Sequence, residues 1–217
     1  MIRTGFRRKL YSQHGREEQS FMKYKWCKIG ILVIIVSFMG FVVENIWLAL
    51  TKGYMNNRNM ELPFLLGYGL AMVAIYILFG IPSEMKFLTR YPVKASRLVK
   101  FLLYFLCVMV CISIGEIILG MVTEKFCHIE YWNYSLIPLH ITKYTSVPTS
   151  MGFAAMVTLF MEKAFPLLMA KMEGMDGRAL RIVVCVVLVM MAIDFIRCYG
   201  HMIRTQNFYE KWRITLR

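Results

Sequence analysis

Five long apolar runs constrain this chain more than any other feature: Ile29–Leu50, Leu62–Ile81, Leu98–Met121, Val147–Ala170 and Ala179–Tyr199. Each has the length, about 20 residues, that a helix needs to cross a hydrocarbon core about 30 Å thick. In lipid every backbone N–H and C=O must be satisfied inside the protein, which leaves helices and closed barrels as spanning structures. The runs show no period-2 alternation, the mark of a barrel strand. They predict an all-α polytopic membrane bundle of about five transmembrane helices. Near the end of the fourth run, Glu162, Lys163 and Pro166 interrupt the apolar pattern, and the proline predicts a kink or a stop.

Composition and charge narrow the function classes. Of 217 residues, 58% are hydrophobic and 18% charged, where a soluble domain has about 45–50% and about 25%. Mean hydropathy is +0.53. A soluble enzyme, a disordered chain and a secreted disulfide scaffold are all excluded. The net charge of +13 sits between the apolar runs and reads as membrane-flanking charge, so the lipid bilayer, not nucleic acid, is the expected partner. The six cysteines form no C-x-x-C and read as free thiols acting as small hydrophobes. Glu124, Cys127 and His128 put metal-capable groups close together without a second cluster elsewhere, so neither a metal nor a cofactor is expected.

Loop charges set the orientation. Residues 1–28 carry eight Lys/Arg and form a basic arm with no apolar h-region and cleavage site. Lys86, Arg90, Lys94, Arg97 and Lys100 fall on the same side, as do Lys171, Arg178 and Arg181. The positive-inside rule then places the N-terminus in the cytoplasm of a cell-membrane protein. Residues 29–200 form one transmembrane domain. Residues 201–217 form a basic, aromatic tail whose Phe208, Tyr209 and Trp212 suggest an interfacial helix on the far side.

Carboxylates inside apolar runs are costly and are functional candidates by default. At about 1.5 Å per residue from the cytoplasmic start of their runs, Glu44, Glu116 and Asp194 lie roughly 22, 26 and 22 Å deep. Three helices therefore bring acids to one level. Glu116 has no basic residue at i±3 or i±4, whereas Asp194 has Arg197 at i+3, which predicts an ion pair. Glu124 stands eight residues beyond Glu116, at the interface. The connection Val122–Ser146 is rich in Tyr131, Trp132, Asn133, Tyr134 and other hydrogen-bonding residues. It reads either as an aromatic interfacial belt or as a lid over a polar cavity. The lid reading puts Glu116 near Glu44, with Trp47, Tyr68, Trp132, Asn133 or Tyr134 as donors. Gly67, Gly69, Gly115 and Gly120 are expected to allow close helix contacts.

The residues also resemble a known family. Glu116-Ile-Ile-Leu-Gly-Met-Val-Thr-Glu124-Lys125 followed by Tyr131-Trp132-Asn133-Tyr134-Ser135 is similar to the E-x7-E-K…W-W-D-Y-S signature of the ABC-transporter type IV family. These are CmpB-like permease proteins of bacterial membranes. Gly40-Phe-Val-Val-Glu44 resembles its G-W-x-x-E, and Asn57-Arg58 through Gly69 its N-R-G-F-L-Y-G-P segment, with Asn59 where that family has glycine. The resemblance implies a permease subunit, self-associating or joined to other subunits, with Glu44, Glu116, Glu124, Tyr68, Trp132, Asn133 and Tyr134 as candidates for solute or ion binding. It also implies a separate cytoplasmic ATPase, because the chain has no G-x-x-x-x-G-K-[ST]. No recognised catalytic constellation is present either. Two other readings stand beside it: a membrane structural or sensory protein, and an intramembrane enzyme using Glu116 with Glu124.

Orientation is directly testable. With the native cysteines replaced, Arg90→Cys is expected to react with an impermeant thiol reagent only after the membrane is opened. Labelling from outside in intact cells would reverse the assignment.

Overall fold

The structure, a computed structural model, describes residues 3–88, 91–175 and 177–216, with side chains from Trp26 onward. Most side chains of the basic arm, and Arg90, lie outside these residues. Helix α1 (Arg3–Lys52) contains the first span and leads through strand β1 (Tyr54–Asn56) to α2 (Leu66–Phe79). A 3₁₀ turn and a short hairpin, β2 (Lys86–Phe87) and β3 (Tyr91–Pro92), connect α2 to α3 (Arg97–Cys127). A long loop closed by β4 (His140–Thr142) and β5 (Thr145–Ser146) leads to α4 (Val147–Leu159), α5 (Phe165–Lys171), α6 (Arg178–Thr205) and β6 (Arg213–Thr215).

Among the described residues, five helical segments are long and apolar enough to cross a membrane: Trp26–Lys52, Leu66–Glu84, Arg97–Cys127, Val147–Lys171 and Arg178–Thr205. The all-α membrane bundle expected from the sequence is the fold, with only short two-stranded pairings at its ends. Strand β6 pairs with β1, so the C-terminal ends of α1 and α6 share one face of the bundle. The β4–β5 connection joins them there, because Asn59 after α1 donates to Tyr131 after α3. This face is the loop end; the β2–β3 hairpin marks the opposite one.

Burial in the spans is inverted relative to a soluble helix. On α3, Leu98, Leu102, Leu106, Val110, Ile114 and Ile118 are exposed at four-residue spacing, a stripe suited to lipid. Tyr104 and Val108 are fully buried on its inner face. They pack with Leu32, Met72, Phe79, Ala154 and Met161 into one core between α1, α2, α3 and α4.

Several local expectations change. Pro166 does not stop its helix. A wide π-turn over Phe160–Ala164 absorbs it, joining α4 to α5 without a break. Glu162, which interrupts the fourth run, is satisfied inside the protein: its side chain, only 6% exposed, accepts from Ser83 N–H at 3.0 Å and from Arg97 at 2.7 Å. The tail is no interfacial helix. After α6 ends at Thr205 it runs irregularly into β6, and Asn57 pins it by donating to Tyr209 O and accepting from Lys211 N. Arg213 stacks on the Tyr54 ring, 3.8 Å from its centroid. Glu61 accepts from Tyr209 OH at 2.6 Å and faces Lys211 and Arg197, so three groups of the basic tail region converge on one acid. The Tyr209 bond, then Lys211, holds the Glu61 carboxyl below its usual range, and the same bond pushes Tyr209 up to about 12. This anchor is present at neutral pH and weakens as acid titrates Glu61.

The glycines divide. A Cβ on Gly69 would lie 2.6 Å from both Ser37 Oγ and the Val33 carbonyl, and one on Gly120 would enter the Tyr144 ring. Gly67 and Gly115 face open space instead and support no helix contact. Gly69→Ala is therefore expected to destabilise the detergent-solubilised protein by about 1–3 kcal/mol, the cost of overpacking against backbone. Gly115→Ala should cost nothing measurable. Thermal melts of the two variants check this, and equal losses would contradict the packing.

Candidate functional site

The loop after α1 is built around an unusual turn. Arg58 and Asn59 both have positive φ, 49° and 60°, a conformation costly for side chains other than asparagine and its like. The surrounding groups hold it. Asn56 Oδ1 accepts Arg58 N–H at 3.0 Å, Asn57 donates to Met60 O, and Asn59 donates to Tyr131 OH at 2.8 Å. Asn45 on α1 accepts Asn56 N–H at 2.9 Å, tying the turn to the helix beneath. The outcome is directional: Arg58 points into the bundle and its Nη2 meets Glu44 Oε2 at 2.8 Å. The other Glu44 oxygen accepts from Tyr68 OH on α2. Arg58 Nε is buried and has no hydrogen-bond partner among the described residues.

Tyr68 reaches Glu44 because Gly40, one turn earlier, has no Cβ. A methyl group there would sit 2.6 Å from Tyr68 Cγ. Glu124 on α3 repeats the arrangement. Gly120 one turn earlier lets the Tyr144 ring lie across the helix, and Tyr144 OH donates to Glu124. Lys143 completes the pair, 2.7 Å from Glu124 Oε1. The bond to Glu124 raises the Lys143 ammonium above its usual value.

Glu116 differs from both. Its Oε2 accepts from Thr145 Oγ1 at 2.6 Å and Ser150 Oγ at 3.3 Å, and the two hydroxyls are 2.9 Å apart. Ser113, one turn below on α3, reaches Ser150 at 3.0 Å. Thr145 and Ser150 are fully buried. Tyr134 of the covering loop is within electrostatic reach of both this group and the Glu44–Arg58 pair. Its phenol is pushed well above its usual pKa, by burial first, then by Glu116 and Glu44, with Arg58 opposing. Glu44, Glu116 and Tyr134 therefore belong to one electrostatic neighbourhood, covered by the long loop.

The remaining candidates serve the cover. Trp132 donates its indole N–H to Tyr144 O at 2.7 Å. Asn133 is exposed and closes a turn, accepting from Ser135 N and donating to Glu130. Trp47 is 61% exposed and faces away. Asp194 does not pair with Arg197. Its two oxygens accept the backbone N–H groups of Glu61 and Leu62, 3.1 and 3.0 Å away. Those bonds hold residues 62–65 in the loop, so α2 begins at Leu66 and not at Leu62. Asn56, Thr145 and Ser150 are not among the sequence candidates, and Arg58 and Asn59 enter there only through the resembled N-R-G segment. Their signal was the density of amide and hydroxyl residues in Asn56–Asn59 and Thr145–Ser150, next to runs where apolar residues prevail.

A multi-pass helical bundle whose membrane-depth acids gather under a folded polar cap defines an integral membrane protein with a polar site at one end. A family model described as "Putative ABC-transporter type IV" matches residues 31–199, and the chain belongs to that family. The match takes in Glu44, Arg58, Tyr68, Glu116, Glu124, Tyr134 and Asp194, and leaves out the tail. No curated protein and no solved structure matches the chain.

Glu44 and Arg58 have side chains 18–23% exposed, so the pair is shielded enough to matter and open enough to relax. Arg58→Gln leaves the Glu44 charge without its cation, whereas adding Glu44→Gln removes the charge too. The double variant is expected to be more stable than Arg58→Gln alone, with a coupling of about 0.5–3 kcal/mol. Thermal unfolding of the four proteins in a double-mutant cycle measures it, and strict additivity would deny the interaction.

Proposed function

We propose that this chain is the permease-type component of a cell-membrane transporter, working with a separate cytoplasmic ATPase. The N-terminus and the β2–β3 hairpin face the cytoplasm in this reading, and the loop end faces outward. The observation that carries it is the neighbourhood of Glu44, Arg58, Tyr134 and Glu116. A guanidinium whose buried Nε–H has no partner among the described residues sits among half-buried acids where three spans and the loop meet. Such a group offers a donor to an acceptor on a solute, at a depth where desolvation strengthens the contact. Family membership supplies the link to ATP-driven transport.

A second reading, a non-transporting structural or sensory protein, draws on one specific feature. Glu44, Glu124 and Asp194 all have internal partners, as helix glue would require. The enzyme reading is weaker, because Glu116 and Glu124 hold separate partner sets and do not face each other as an acid–base pair.

The exposed Lys86 and Lys94 beside the hairpin offer an acidic ATPase surface a contact site. Affinity-tagged chain expressed in its own cells is expected to co-purify with a nucleotide-binding subunit. The Lys86→Glu/Lys94→Glu variant should lose at least about tenfold of that association, which is a change of about 1.4 kcal/mol, and still fold. Recovery without any nucleotide-binding protein would favour the second reading.

A further inference from the structure

Every non-exposed carboxylate among the described residues, other than Glu116, has a cation or backbone N–H donors. Glu44 has Arg58, Glu124 has Lys143, Glu162 has Arg97 and a backbone N–H, and Asp194 has two backbone N–H groups. Glu116 has hydroxyls alone. Hydroxyls donate hydrogen bonds but leave the negative charge uncancelled, and at membrane depth an uncancelled charge is costly. The site therefore calls for one positive charge from outside the chain.

The surrounding atoms indicate which kind. Glu116 Oε2, Thr145 Oγ1 and Ser150 Oγ form a triangle with sides of 2.6, 2.9 and 3.3 Å. Ser113 Oγ lies 3.0 Å from the Ser150 corner. Two of these four oxygens come from α3 and two from the consecutive β5 and α4, with 29 and 34 residues separating Glu116 from Thr145 and Ser150, and the two hydroxyl corners of the triangle are fully buried. A proton needs one acceptor, whereas hard cations take several neutral and anionic oxygens at once. One carboxylate balances a single positive charge, and a divalent ion would leave the site net positive. Glu116 itself is only half-buried.

We propose that Glu116, Thr145, Ser150 and Ser113 bind a monovalent alkali cation. Bound there, the ion clamps the start of α4 and strand β5 to α3 and neutralises Glu116 beside Tyr134 and Glu44. This deepens the transporter reading by assigning an ion to one part of the same neighbourhood, but it does not depend on an ATPase partner.

The test uses the full-length chain purified in detergent. Radiolabelled sodium binding and thermal unfolding are followed as NaCl or KCl replaces choline chloride at constant ionic strength. Sodium or potassium is expected to bind saturably, at about one ion per chain, and to raise the melting temperature in step with occupancy. Glu116→Gln should abolish both effects. Ser150→Ala and Thr145→Val should weaken binding at least about tenfold, while Glu84→Gln, at an exposed acid near the hairpin end, retains it. Melting in choline reports whether each variant folds, and the hydroxyl variants carry the test if Glu116→Gln does not. Acidification should raise the concentration needed for half-saturation, because protons compete for the carboxylate. Equal melting in all three salts, or a sodium effect that survives in Glu116→Gln, overturns the proposal. So does a response to pH with none to the cation, which would make Glu116 a proton site. Loss of the cation effect leaves the ATPase association standing, and loss of that association leaves cation binding standing.

Discussion

Charged groups at membrane depth must be neutralised or satisfied locally, and the loop end of this protein is organised around that requirement. Glu44 illustrates the dependence best. Its partner Arg58 reaches it only because two consecutive residues adopt positive φ, which three asparagines and Tyr131 hold in place. Asn57 of the same turn fastens the C-terminal tail, and Asp194 of α6 fastens residues 61 and 62 just beyond it. The turn, the tail and the start of α2 thus form one hydrogen-bonded cap. A positive-φ arginine is unfavourable alone, and the contacts that offset it also join α1, α6 and the long loop.

Four acids near the loop end are satisfied in three ways. Glu44 and Glu124 each have a cation and a tyrosine, Asp194 has amide donors from a loop, and Glu116 has hydroxyls. The first two share a design, glycine one turn before the acid with a tyrosine ring laid over the gap. In both, the missing Cβ converts an aromatic side chain from a neighbouring segment into a hydrogen-bond donor for the carboxylate. A helix packed against lipid has few other ways to bring a donor inward, since its own backbone groups are already paired.

The spans were legible because a 20-residue apolar run has one outcome in lipid, and the depth estimate for Glu44, Glu116 and Asp194 followed from helical rise alone. Partners were less legible, because they come from segments remote in sequence. Arg58 stands out in the sequence only through the resembled N-R-G segment, and nothing local shows that a turn 14 residues on aims it at Glu44. Asn59, standing where the resembled family has glycine, is explained by its φ of 60°, which asparagine tolerates better than most residues. The Asp194–Arg197 pair failed as an expectation because the i+3 rule weighs neighbours on one helix, while two backbone N–H groups from the α1–α2 connection offered a better-shielded site. The glycines failed in half the cases for the same reason. Sequence shows where a Cβ is missing, not which neighbour fills the space.

The difference between the two ends of the bundle bears on mechanism. At the hairpin end, Glu162 ties the π-turn to the 3₁₀ turn and to Arg97, so α4, α2 and α3 are locked by one buried acid at the wide, proline-tolerant turn. At the loop end the start of α4 is held to α3 by Thr145, Ser150 and Glu116. The fourth span is therefore clamped to α3 at two levels through carboxylates, the second of them inside the widened turn. A π-turn is a common place for a helix to change shape. Any change in the charge state of Glu116 acts directly on one clamp, and α4 transmits it along a continuous helix toward the other. That places the polar site and the end proposed to meet the ATPase on one mechanical element, as energy-coupled movement of a solute would require.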